Sequence, residues 1–226
     1  MENLNKVKLR SQVTNTVVAF DVTPEITETR NVNYKTLEPV HMPGGIHIYG
    51  STSSRIYNIN NIRLVSRTST EAARNLYRLN ILRSWAMPYF GRANPSRLIG
   101  APPDVLALSA YATGPVDSSR SQNNQSQSDN NQFDTNQSQV AGSQPTRRAT
   151  NIKNVPVVLQ QISIPYPSDT DYIPTAAATF GDTEISAGVP FPTIMTIDMV
   201  LTETHSPREF NRFDLEKFRK GILDNF

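Results

Sequence analysis

Ile194-Met195-Thr196-Ile197-Asp198-Met199-Val200-Leu201-Thr202-Glu203-Thr204 is the stretch from which the fold is read. Ile194, Thr196, Asp198, Val200, Thr202 and Thr204 share one parity, while Met195, Ile197, Met199, Leu201 and Glu203 hold the other. Side chains along a strand point alternately to opposite faces, so one apolar parity marks a strand lying on a core. The second parity is the expected core face. Directly after it, Ser206-Pro207-Arg208-Glu209 has the form of a capping box with Pro at the first helical position. A closing helix is expected there, with Phe210, Phe213, Leu215, Phe218 and Ile222 as its buried side and Gly221 as its stop.

Working back towards the N-terminus, Asn154 to Ile164 alternates through Val155, Val157 and Leu159, and Val105 to Ala112 is a short apolar run; both read as strands. Thr68-Ser69-Thr70-Glu71 is a second capping box. It predicts a helix from Ser69 to Ala86 whose stripe of Ala72, Leu76, Leu79 and Leu82, with Ala73, Tyr77, Ile81 and Trp85 beside it, opposes Arg74, Arg78 and Arg83. Pro88 and Gly91 close it. Arg55 to Arg67 is a strand whose apolar parity shifts at Asn60-Asn61, which a β-bulge there would repair. Thr16 to Val22 is a further short strand, ended by Pro24, and Glu25 to Val40 alternates loosely as a half-exposed one. Pro43-Gly44-Gly45 reverses the chain and Ile46 to Tyr49 leads back, so a long β-hairpin is expected.

The chain has 226 residues and reads as a single domain over 1–226, interrupted at 114–150 by a tract rich in Gln, Asn and Ser. Such a tract buries too little apolar surface to offset its ordering entropy. It reads as a flexible insertion between two strands, with self-association through Gln and Asn as the other use open to it. Hydrophobic residues make up 37% of the chain and charged residues 19%, a balance that favours strands and loops. There is no Cys, which excludes disulfides, thiolate catalysis and Cys-based zinc sites. No apolar run approaches the roughly 20 residues that cross a bilayer, and the N-terminal residues carry no apolar signal core, so a soluble protein that does not engage membranes is expected. The net charge is only +2, but residues 1–112 carry 13 Lys or Arg against 7 Asp or Glu, whereas 153–226 carry 6 against 10. Unlike charge in two parts of one chain can steer copies together, or the charges can interleave in the fold and leave no patch.

The candidates for chemistry are few. His41 and His47 flank the Pro43-Gly44-Gly45 turn and, with Glu38, have the makings of a metal site, although nothing in the spacing demands a third ligand. Glu203, His205 and Ser206 supply the residue types of a hydrolytic triad, but neighbours in sequence do not converge in the relay that a triad needs, and Ser206 is better used as a helix cap. Gly44-Gly45 lacks the Lys-Ser or Lys-Thr of a phosphate loop, and Asp169 and Asp171 lack the Gly and closing Glu of a calcium loop. No enzyme activity, cofactor or metal is expected. Arg74, Arg78 and Arg83, with Tyr77 and Trp85 nearby, are the one arrangement suited to nucleic acid, against the reading that they pair between subunits or are simply solvated.

Four runs resemble a known family. Arg83-Ser84-Trp85-Ala86-Met87-Pro88-Tyr89-Phe90-Gly91, Leu98-Ile99-Gly100-Ala101-Pro102-Pro103, Ile162-Ser163-Ile164-Pro165-Tyr166-Pro167 and Glu203-Thr204-His205-Ser206-Pro207-Arg208-Glu209-Phe210 are similar to baseplate tail-tube proteins of contractile-tailed bacteriophages, of the tube-initiator and tube-cap type. The resemblance runs from about Val32 to Phe226 and leaves out the polar tract. It implies an α+β, mainly β fold: a tail-tube-like β-sandwich or barrel with one flanking helix, a short C-terminal helix and the long insertion. It also implies a virion structural protein, assembled in the host cytoplasm, that forms a hexameric ring. That ring would join the baseplate hub to the tail tube and let DNA pass through its lumen without reading its sequence. The intersubunit-contact candidates are Arg55, Arg63, Arg67, Arg74, Arg78 and Arg83 from the basic part and Asp198 and Glu203 from the acidic part. The alternative is a nucleic-acid-binding coat or adaptor protein of the virion.

Overall fold

The structure, a computed structural model, describes residues 6–38, 40–41, 43–91, 99–111 and 152–220. The polar tract at 114–150 lies outside these residues, as do Gly221 and Ile222. In chain order the elements are β1 (Lys8–Ser11), β2 (Val17–Ala19), β3 (Glu25–Thr29), β4 (Val32–Leu37), β5 (Ile46–Thr52), β6 (Ile56–Val65) and α1 (Ser69–Ser84). There follow β7 (Leu106–Ala110), β8 (Ile152–Ser163), β9 (Tyr172–Pro174), β10 (Ala178–Phe180), β11 (Thr183–Ile185), β12 (Pro190–Pro192), β13 (Ile194–Glu203), α2 (Pro207–Phe210) and α3 (Leu215–Arg219). The fold is mainly β and antiparallel, with few helices.

Seven strands form one sheet in the order β2-β1-β7-β8-β13-β6-β3, every neighbour antiparallel. Its edge strands are consecutive in sequence, and that fixes its shape. Only five residues separate Ala19 from Glu25. Fully extended they reach roughly 20 Å, whereas six strand spacings of about 4.8 Å put the edges of a flat sheet roughly 29 Å apart. The sheet therefore coils, drawing its edges together at that end. Tyr111, just after β7, donates its hydroxyl to the Pro24 carbonyl in the link between those edges at 3.1 Å.

The core fills the concave side. Met195, Ile197, Met199 and Leu201 of β13 are buried there beside Tyr57, Ile59, Ile62 and Leu64 of β6, as the parity of the opening stretch predicts. The apolar face of β6 changes parity at Asn60-Asn61, where the β6–β13 register slips between Ile197 and Met199. Asn61 takes a φ of 59°, and its N–H donates to Asp198 Oδ1 at 2.8 Å, so the expected bulge is present and braced. Helix α1 packs Ala72, Ala73, Leu79 and Leu82 into the core. At its start the Thr68 hydroxyl accepts from the Glu71 N–H at 3.2 Å, while Glu71 reaches one residue further back than a capping box would, to the Arg67 N–H at 2.8 Å. The helix ends at Ser84 with Trp85 as its cap. Asn75, with no apolar signature, is also buried, its amide donating to the Val65 carbonyl and to Ser66 Oγ, each at 2.9 Å.

Two expectations are corrected. The stretch from Glu25 to Val40 is not one strand: it breaks at Arg30-Asn31, where β3 leaves the sheet and the chain enters a separate two-stranded hairpin of β4 and β5. The closing helix is not one buried helix either. Asp214 accepts from the N–H groups of Glu216 and Lys217, restarting the helix as α3. Neither α2 nor α3 contains a buried residue, and Phe210, Phe213 and Leu215 are exposed.

Candidate functional site

Hairpin β4–β5 is an arm, every strand residue of which is exposed. Its register pairs Tyr34 with Tyr49, Thr36 with His47, Lys35 with Ile48 and Leu37 with Ile46. Tyr34 and Tyr49 thus meet on one face, edge to ring with centroids 6.1 Å apart, while Leu37, Ile46 and Ile48 occupy the other. Tyr34 and Tyr49 are each 59% exposed, Leu37 54% and Ile48 51%. A two-stranded hairpin is at best marginal in water, and apolar side chains on both of its faces gain nothing from solvent. The expected reversal is thus present, and it leads away from the core.

The root of the arm is a buried ion cluster centred on Glu203. The Glu203 side chain is 2% exposed. It accepts from Arg55 Nη2 at 2.6 Å, Arg55 Nε at 3.0 Å, the Arg55 backbone N–H at 3.2 Å and Arg30 Nη2 at 3.0 Å. His205 Nε2 lies 2.7 Å from Oε1, the oxygen that also accepts from Arg55 Nη2. Arg55 also reaches Glu28 at 3.5 Å and lies over the ring of Tyr57 at 5.5 Å. Burial pushes the Glu203 carboxyl up, but the hydrogen bonds from Arg55 and His205, with the Arg55 charge, outweigh it and hold the group down at about 2 against an ordinary 4.5. The Tyr57 hydroxyl is buried and has no hydrogen-bond partner among the described residues. Burial raises it above the ordinary tyrosine value, so it stays a neutral phenol.

The eight charged candidates do not form one patch. Arg55 and Glu203 are brought together, but inside the subunit, with 6% and 3% of their surfaces exposed. Arg63 and Asp198 each bond to Asn61 on the exposed side of the sheet, Arg63 Nε donating to Asn61 Oδ1 at 3.1 Å and Asp198 bracing the bulge through the Asn61 N–H. Arg67 and Arg74 are exposed at the start of α1. Arg78 forks onto Asp21, Nη1 to Oδ2 at 2.5 Å and Nη2 to Oδ1 at 3.4 Å, and Arg83 bonds to the Tyr166 hydroxyl. Arg30, Glu28 and Tyr57 of the cluster were not foreseen, and His205, named with Glu203 and Ser206, does meet Glu203 at 2.7 Å while Ser206 caps α2. One signal was present: Glu203 sits on the core parity of β13, and a charge on an apolar face needs a buried counter-charge.

The remaining candidates are dispersed. The Ser206 hydroxyl accepts from the Glu209 N–H at 3.3 Å and Glu209 accepts from the Ser206 N–H at 2.7 Å, so the capping box forms. His47 Nδ1 lies 3.2 Å from Thr36 Oγ1 on the arm, and among the described residues no group of three or more His, Asp or Glu is placed to hold a metal. No helix among the described residues is long and apolar enough to cross a membrane. A cleft of about 510 Å³ opens at the end of α1, lined by Tyr77, Trp85, Pro88, Tyr89 and Phe90. Asp104 at its wall accepts from the Ser11 hydroxyl at 2.6 Å. No family model matches the chain, and no curated protein is found to be similar to it.

Proposed function

We propose that the chain is a structural subunit which assembles with copies of itself into a hexameric ring of a phage baseplate or tail tube, joining hub to tube around a DNA channel, and that it carries out no catalysis. The resemblance of the four runs supplies the identity of the assembly, and the arm supplies the physical support. A hairpin with Tyr34 and Tyr49 on one face, Leu37, Ile46 and Ile48 on the other, and no cover among the described residues is a surface built to be buried against another subunit. A ring subunit meets neighbours on two different sides, which gives both faces of the arm something to pack on. Of the eight candidates, Arg67 and Arg74, exposed at the start of α1, and Arg63 and Asp198, each bonded to Asn61 on the exposed side of the sheet, are placed to pair across such contacts.

The coat or adaptor reading rests on Arg74, Arg78 and Arg83, and two of these three are engaged within the chain, by Asp21 and by Tyr166. No observation favours it over the ring. Sedimentation velocity and electron microscopy of the chain with purified hub and tube proteins test the proposal. Rings are expected, and the double variant Ile48→Asp/Tyr49→Asp should abolish them while leaving the far-ultraviolet circular dichroism spectrum of the folded chain unchanged. A chain that stays monomeric among those partners and is absent from isolated tails would sink it.

A further inference from the structure

Three points where the chain leaves the sheet converge on one carboxylate. Arg30 stands where β3 passes into the arm, Arg55 where the arm returns into β6, and His205 where β13 passes into the C-terminal segment of α2 and α3. All three donate to or lie against Glu203. The two legs of the arm are also clipped together, Ser53 N–H to the Asn31 carbonyl at 2.9 Å and Asn31 N–H to Ser53 Oγ at 3.0 Å. On the other side, His205 packs its ring edge on Phe210 with centroids 5.5 Å apart, and its Nδ1 lies 3.9 Å from Glu209 Oε2. A carboxylate offers about four lone-pair sites, and here all are taken. It cannot follow one leg without giving up a bond to another, and at this burial each lost bond leaves a costly unpaired group.

We propose that Glu203 couples the arm to the C-terminal segment, so that a change in the setting of either one is transmitted to the other. Coupling needs an element with two arrangements, and in the proposed coupling that part falls to Arg55, which bonds both carboxylates in the one arrangement seen. Its guanidinium lies between Glu203, at 2.6 Å, and the half-exposed Glu28, at 3.5 Å. When the arm tilts and draws Arg55 towards Glu28, Glu203 loses its strongest partner and its hold on His205 is reset, which frees α2. The path also runs in reverse, because coupling between two sites is reciprocal. The inference does not depend on the ring: it concerns the isolated chain, and a partner docking on either segment would exploit it.

Amide spectra and hydrogen exchange of the full-length chain carrying Arg30→Gln, His205→Gln or Glu203→Gln test it. The reporters are Tyr34 and Ile48 on the arm and Phe213 and Leu215 in the C-terminal segment. Arg30→Gln should shift and speed exchange at Phe213 and Leu215 as well as on the arm. His205→Gln should do the same at Tyr34 and Ile48, and neither should disturb β7 or β8. In the Glu203→Gln background the cross-effects should vanish. If each single variant alters its own segment alone, the coupling does not exist. Should Glu203→Gln fail to fold, the reciprocal effects of the two peripheral variants decide the matter unaided.

Discussion

Glu203 is ionised far below the range of an ordinary glutamate because the folded chain presents Arg55, Arg30 and His205 to it and to no other group so closely. A carboxyl whose folded value is depressed contributes stability that is complete above its unfolded value and lost as pH falls through the folded one. For a fall from 4.5 to about 2 the contribution is about 3 kcal/mol. Urea midpoints of the wild type should therefore drop more steeply than those of Glu203→Gln between pH 4.5 and about 2. Removing one partner is more damaging than removing both. Glu203→Ala leaves the Arg55 charge buried and should cost about 3 to 5 kcal/mol, whereas the double variant Arg55→Leu/Glu203→Leu should recover most of it. A double-mutant cycle in urea measures the difference. Tyr57→Phe deletes a buried hydroxyl that has no partner among the described residues, so it should leave stability unchanged or raise it by up to about 1 kcal/mol.

At the scale of elements, the two helical regions should respond in opposite ways to the same kind of substitution. Leu79 and Leu82 of α1 are buried, and truncation of either to Ala should cost about 2 to 5 kcal/mol, while Thr68→Ala removes the cap and should cost about 1 kcal/mol. Leu215 is 55% exposed, and its truncation in the isolated chain should stay within about 0.5 kcal/mol. Thermal melts of these variants make the comparison. The contrast also shows where local reading stops. A capping box states that a helix begins at Ser206, and the helix does begin there; it does not state that the apolar residues which follow will find a core. Asp214 accepts from the N–H groups of Glu216 and Lys217 and breaks the segment in two, an N-cap that the apolar spacing alone concealed.

At the scale of the whole molecule, the arm makes stability a matter of concentration if copies bury it. Binding of folded chains to one another favours the folded state by mass action. The melting temperature of the wild type should then rise with protein concentration, and that of Ile48→Asp/Tyr49→Asp should not; calorimetry over a concentration series reads this directly. The features legible from sequence were those that neighbouring residues settle: the period of two in β13 and its core parity, the bulge at Asn60-Asn61, the cap at Thr68, the reversal at Pro43-Gly44-Gly45. They are local because φ, ψ and side-chain alternation answer to the next few residues. Burial does not. Arg55 and Glu203 stand 148 positions apart, and nothing near either one states that the two will close on each other and not face a second subunit. The same holds for the arm, whose alternating residues are those of a strand on a core. The sequence by itself determined the long strands β6, β8 and β13, the start of α1 and the reversal between β4 and β5, whereas β1 and the short strands β9 to β12 carry too little pattern of their own to be read from it. Only the tertiary structure decided which apolar faces are covered and which charges are enclosed, because both depend on how distant segments coil around one core.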